Sequence, residues 1–170
     1  HDGARLSNAL WVSITLISTG LATRELWGIG HGRQAGLLFI ASIGLIINVH
    51  SLIPDLTTLS GLSLCFYSFT LYYRRPFRSS VLMGSGLGIS FLSGGFIPLI
   101  SIVITSTILY FFRFWRNNRY LTFISLSFVI ASVIISPWLL AMNYLHPQLL
   151  SNWLDKEIFI SSPSFLYILS

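Results

Sequence analysis

Residues 120–144 read Tyr-Leu-Thr-Phe-Ile-Ser-Leu-Ser-Phe-Val-Ile-Ala-Ser-Val-Ile-Ile-Ser-Pro-Trp-Leu-Leu-Ala-Met-Asn-Tyr, and none of them carries a charge. A helix needs about 20 mainly apolar residues to cross the hydrocarbon core of a bilayer, with a range of about 17–25. This stretch meets that requirement, and Pro137 is expected to kink the helix or mark its outer end. The rest of the chain has the same character. Of its 170 residues 54% are hydrophobic, 15% aromatic and only 9% charged, with mean hydropathy +0.76. A water-soluble domain carries roughly a quarter charged residues, so this chain lacks the charge to solvate a globular surface. The composition excludes soluble enzymes and disordered tails.

A pI of 9.8 invites a nucleic-acid reading, but the ten basic residues are scattered between apolar runs. There is no basic arm and no basic patch interleaved with aromatics, so no nucleic-acid partner is expected. The lone cysteine, Cys65, can form neither an internal disulfide nor a cysteine-based zinc site. It reads as a small buried hydrophobe.

Five more spans precede the first one quoted: residues 6–27, 35–53, 56–73, 79–92 and 96–112. The expectation is an all-α integral membrane protein, a bundle of about six transmembrane helices. Strand-type alternation is absent, which argues against an outer-membrane barrel. The span 79–92 is short and rich in glycine, with Gly84, Gly86 and Gly88, and is expected to be the shortest helix or re-entrant. Its glycines resemble a nucleotide loop only superficially; small residues at this spacing let membrane helices approach closely.

Charge orients the bundle. With six spans, the loops after the first, third and fifth share a side and hold Arg24, Arg33, Arg74, Arg75, Arg78, Arg113, Arg116 and Arg119 against one acid, Glu25. The other side holds Arg5 and Lys156 against Asp2, Asp55, Asp155 and Glu157. Arginine and lysine in short loops mark the cytoplasmic face, and their arginines are expected to touch anionic lipid head groups. His50, Asp55, the turn at 93–95 and both ends then lie outside. The chain opens on His1 without a signal peptide and stops at Ser170 within an apolar stretch. It is therefore expected to be a single transmembrane domain over residues 1–170 that is a piece of a longer chain.

No P-loop, HExxH or GxSxG occurs, and no histidine pair has metal-ligand spacing, so neither a cofactor nor a metal is assigned. The acid of interest is Asp55, in His50-Ser-Leu-Ile-Pro-Asp55 at the outer boundary. Taken alone, the simpler reading is a helix N-terminus, which aspartate stabilises by capping and through the dipole. Likewise His50 alone is an interfacial polar residue and Arg5 a snorkelling anchor. Together the three fall on one membrane face, where a cation, an imidazole and a carboxylate could bind a phosphate and orient a hydroxyl. Trp153-Leu-Asp155-Lys156-Glu157 reads as an interfacial segment with an aromatic anchor.

The order of these features resembles the polytopic GT-C glycosyltransferases, in particular the lipid A aminoarabinose transferases and the protein-mannosyltransferase-like family. Arg5-Leu-Ser-Asn-Ala-Leu opens a span ending in Thr23-Arg-Glu-Leu-Trp-Gly28, and Gly36-Leu-Leu begins the next. His50 through Asp55 looks like the family's second outer loop. Gly86 through Pro98 is similar to its glycine–proline turn, and Ser136-Pro137-Trp138 with His146-Pro147 to a later segment. The resemblance implies a sugar donor on a polyprenyl-phosphate carrier and a lipid, glycan or protein acceptor on the outer face of the inner or plasma membrane. It implies Asp55 as a catalytic acid of the cavity, with Arg5, His50 and Ser93 binding substrate. Two departures stand out. Gly94 occupies the place where the family carries a lysine, and the family's main catalytic carboxylate belongs to an outer loop upstream of position 1. A transporter or flippase bundle and a non-catalytic membrane scaffold are the competing readings. Mid-membrane charges are nearly absent, which weighs against transport.

Overall fold

The computed structural model describes residues 2–41, 55–112 and 117–145, together with Gln148 and Trp153. Among them are six helices and no strand: α1 (Asp2–Trp27), α2 (His31–Ala41), α3 (Asp55–Leu71), α4 (Pro76–Gly94), α5 (Phe96–Phe111) and α6 (Asn118–Leu145). The all-helical expectation therefore holds. Two helical stretches are long and apolar enough to cross a membrane, Leu6–Trp27 and Asn118–Leu145, while Leu56–Leu71 and Phe96–Phe111 are apolar but shorter. The second half of the expected span 35–53 lies outside the described residues.

Side-chain contacts fix the direction of each helix. Gly20 and Gly32 bring α1 and α2 together backbone to backbone; a Cβ on Gly32 would lie 2.7 Å from the Gly20 carbonyl oxygen. In the α3–α4 hairpin, Thr58 meets Ser93 at one end, and Ser79 Oγ donates to the Ser68 carbonyl at the other, 2.7 Å away. α6 runs parallel to α4, with Ser80 beside Phe123 and Gly88 beside Ile134. The Tyr120 hydroxyl donates to the Ser106 carbonyl at 2.9 Å and sets α5 antiparallel to α6. An ion pair, Arg74 Nη1 to Glu25 Oε2 at 3.1 Å, joins the ends of α1 and α3. Successive helices thus alternate in direction. Arg24, Arg33, Arg74, Arg75, Arg78 and Arg119 gather at one end, and the start of α3 and the 93–95 turn at the other.

The expectation of a short fourth helix is overturned. α4 has 19 residues and is unbroken, against 17 in α3 and 16 in α5. Glycine costs a helix interior about 1 kcal/mol per residue, which is why the stretch reads as weak. Here those glycines are contact surfaces. A Cβ on Gly86 would lie 2.6 Å from the Gly61 carbonyl oxygen of α3, and one on Gly84 would lie 2.6 Å from Ile130 Cβ of α6. α4 packs glycine against α3 on one side and against α6 on the other, so it is the centre of the bundle.

Pro137 does not end α6, which runs on to Leu145. Proline removes the N–H that would bond the carbonyl four residues back. Ser136 Oγ reaches that carbonyl, on Val133, at 3.3 Å, the kind of hydroxyl rescue that lets proline sit in membrane helices.

Many small polar groups are inside, and many large apolar ones face outward. Ser60, Ser68, Ser79, Ser90, Ser106 and Ser127 are buried, and each hydroxyl donates to a helix carbonyl. Among the described residues no buried side-chain nitrogen or oxygen lacks a partner. Larger buried side chains form a patch around Tyr72, Met83, Leu87, Tyr120 and Phe123. Leu10, Ile17, Leu38, Ile104, Val129 and Val133 face outward. This arrangement does not suit water, whereas helices in lipid associate through small residues and internal hydrogen bonds.

Candidate functional site

The end of the bundle opposite the arginines is built on the α3–α4 hairpin. α3 begins at Asp55. One turn later, Thr58 Oγ1 and Ser93 Oγ lie 2.9 Å apart. Ser93 Oγ is also 3.0 Å from the Ile89 carbonyl, so one hydroxyl joins the two helices and the backbone of its own. Gly95 then turns the chain into α5 with φ 65°, a left-handed conformation that favours glycine.

Aromatic rings close the same end. Phe91 and Phe96 flank the turn with centroids 5.3 Å apart. Trp153 packs on Phe96 at 5.8 Å and on Trp138 of α6 at 5.5 Å. Trp153, the expected aromatic anchor, is half-buried in this cluster. Asp155, Lys156 and Glu157 lie outside the described residues.

Of the four site residues expected from sequence, Ser93 and the backbone of Asp55 are brought to one end. Arg5 belongs to the first turns of α1, which runs parallel to α3 and packs against it. Arg5 and Asp55 are placed here by their backbone, and His50 lies outside the described residues. The hydroxyl of Ser93 already has internal partners, so its first role is to tie α4 to α3.

Thr58 went unnoticed in the sequence, where nothing separates it from Thr57 or the serines around it. The structure also gives a steric account of Gly94. A Cβ there would meet Thr58 Oγ1 at 2.8 Å and Pro98 Cγ at 3.1 Å. The place where the resemblance expects a lysine is closed to any side chain in this packing.

Two clefts lie at the arginine end. One, of about 540 Å³, is lined by Arg24, Arg33 and the glycine turn between α1 and α2. The other, of about 270 Å³, lies between α4 and α6 beside Arg119. Neither is lined by Asp55 or Ser93.

No family model matches this chain, and no solved structure gives a significant match. The chain is similar to undecaprenyl phosphate-alpha-4-amino-4-deoxy-L-arabinose arabinosyl transferase 1 of Pseudomonas fluorescens (strain Pf0-1), with 28% identity over 154 residues. The likeness covers 86% of this chain but 26% of the relative, so the chain spans about a quarter of that protein's length. It supports a glycosyltransferase relationship at the level of a broad family and no finer.

Proposed function

We propose that this chain is the transmembrane part of a multi-pass glycosyltransferase, which moves a sugar from a polyprenyl-phosphate carrier to an outer-face acceptor. The observation that carries the reading is the likeness to the arabinosyl transferase along 86% of the chain. Alternating helices that put the arginine loops at one end and Asp55 at the other agree with it. In this reading the acceptor hydroxyl attacks the anomeric carbon and its proton passes to a carboxylate. The bond from sugar to phosphate breaks, and the polyprenyl phosphate leaves as an anion. Asp55 is an acid of the cavity that holds the acceptor. Arg5 is the cation placed to steady the departing phosphate. His50 and the turn at Ser93 complete the substrate surface.

The test uses the longer protein of which we read this chain as a part, reconstituted in vesicles with a polyprenyl-phosphate sugar and a cell-envelope extract that supplies lipid, glycan and protein acceptors. Protein-dependent release of free polyprenyl phosphate is expected. A donor that stays intact while the protein is folded would remove the reading, and a donor carried across the bilayer unchanged would replace it with transport.

Orientation has its own check. Arg75 is exposed at the arginine end, and the lone native thiol, Cys65, is buried. In intact cells a cysteine introduced by Arg75→Cys should resist a membrane-impermeant maleimide and react with a permeant one. Ready labelling from outside would invert the topology.

A further inference from the structure

The cleft between α4 and α6 at the arginine end has the shape and polarity of one lipid. Arg119, Thr122, Phe123 and Leu126 lie three or four residues apart along one face of α6, so their row extends about 10 Å from the end of the bundle toward its middle. Across from them stand Phe77 and Ser80 of α4. The hydroxyls in the walls are turned inward. Thr122 donates to the Asn118 carbonyl at 3.2 Å and Ser80 to the Pro76 carbonyl at 3.0 Å. What remains is an apolar trough with a guanidinium at its mouth. Phe77, 70% exposed, forms its open edge. α4 starts at the same mouth with proline in its first turn and no side-chain cap, which adds the positive end of a helix dipole.

We infer that this cleft is a site for an anionic glycerophospholipid of the arginine-side leaflet. Its phosphate sits at Arg119 and one acyl chain lies between Phe77 and Leu126, above the buried ring of Phe123. Charge selects the class. Arg74, Arg75 and Arg78 crowd the same end, so the ammonium of a zwitterionic head group is repelled where an anionic head group is drawn in. A soluble anion gains nothing from the apolar trough beneath the guanidinium. The site is remote from the proposed sugar-transfer end and does not depend on that reading. It depends only on the bundle lying in a bilayer.

The experiment places the complete protein in phosphatidylcholine vesicles doped with a lipid that carries an acyl-chain diazirine. The probe is phosphatidylglycerol in one set and phosphatidylcholine in the other, and the labelled peptides are mapped. Phosphatidylglycerol is expected to label the segment around Leu126 about fivefold more than phosphatidylcholine, the preference one basic residue confers near a membrane surface. Arg119→Gln should abolish that preference while leaving phosphatidylcholine labelling intact. Arg78→Gln, outside the cleft, should keep most of it. Equal labelling by the two lipids would overturn the site. So would an equal effect of the two substitutions, which means diffuse surface charge, or competition by inorganic phosphate, which means a free anion. If neither lipid labels α6, the bilayer placement itself falls.

Discussion

Gly86→Ala is expected to cost about 3 kcal/mol of stability, the upper part of the usual range for overpacking a tight contact. The added methyl would sit 2.6 Å from the Gly61 carbonyl oxygen and 3.1 Å from the Cys65 amide nitrogen. Both are backbone atoms of α3, so no side chain can rotate away and the two helices must separate. Gly61→Ala should cost a similar amount, because its Cβ would meet the Gly86 carbonyl oxygen at 2.6 Å. One separation relieves both clashes, so the double variant should lose clearly less than the sum, as contacting positions do. Gly36 is the internal control. Nothing lies within 4 Å of a Cβ there, and alanine should gain roughly 0.5–1 kcal/mol through its better helix propensity. Unfolding in detergent, followed by circular dichroism against rising denaturant, measures all four. Wild-type stability in Gly86→Ala would mean that α3 and α4 do not touch as described.

The apolar spacing that defines the helices was legible because it needs only composition and length. Residues 120–144 and 6–27 announce themselves, and loop arginines at alternate connections predict the up-and-down order that Arg74–Glu25 and Thr58–Ser93 confirm geometrically. The fourth helix was misread for a physical reason. The apolar run ends at Ser79 and Leu92, whereas the helix also takes in Pro76–Arg78 and Ser93–Gly94, and apolar length takes no account of the neighbours whose approach the glycines permit. Gly84 and Gly86 face different partners, so no single stripe of small residues marks the contact. Of the two expectations for Pro137 the helix end fails, since its compensating bond comes from Ser136, an ordinary serine in a sequence full of them.

The candidate site was less legible than the fold. Sequence order brings Asp55 and Ser93 to the same end, but the bond that ties α4 to α3 there is made by Thr58, which has no distinguishing neighbours in sequence. The absence of lysine at Gly94 was visible as a departure from the resemblance. The closeness of Thr58, 36 positions away in sequence, is a matter of packing.

In the complete protein, Asp55→Asn is expected to lower sugar transfer by about 10²–10⁴-fold, the usual contribution of a general acid–base group, while leaving the fold nearly intact. Asp55 is the first residue of α3, so two roles compete for it. In the structural role it would offer a side-chain oxygen to the first turn and a negative charge to the dipole. Asparagine keeps the oxygen and caps as well as aspartate; losing the charge costs only about 0.3–1 kcal/mol. As a catalytic acid its value is the proton it accepts or holds, and an amide can do neither. The substitution therefore separates the roles: capping predicts near-normal turnover, whereas catalysis predicts a collapse with stability maintained. Asp55→Ala completes the comparison, because it should lose transfer like Asn and in addition about 0.5–2 kcal/mol of stability from the missing cap. Full transfer by the Asn variant at normal expression would leave Asp55 as the start of a helix and nothing more. The chemistry would then have to rest on a carboxylate outside this chain.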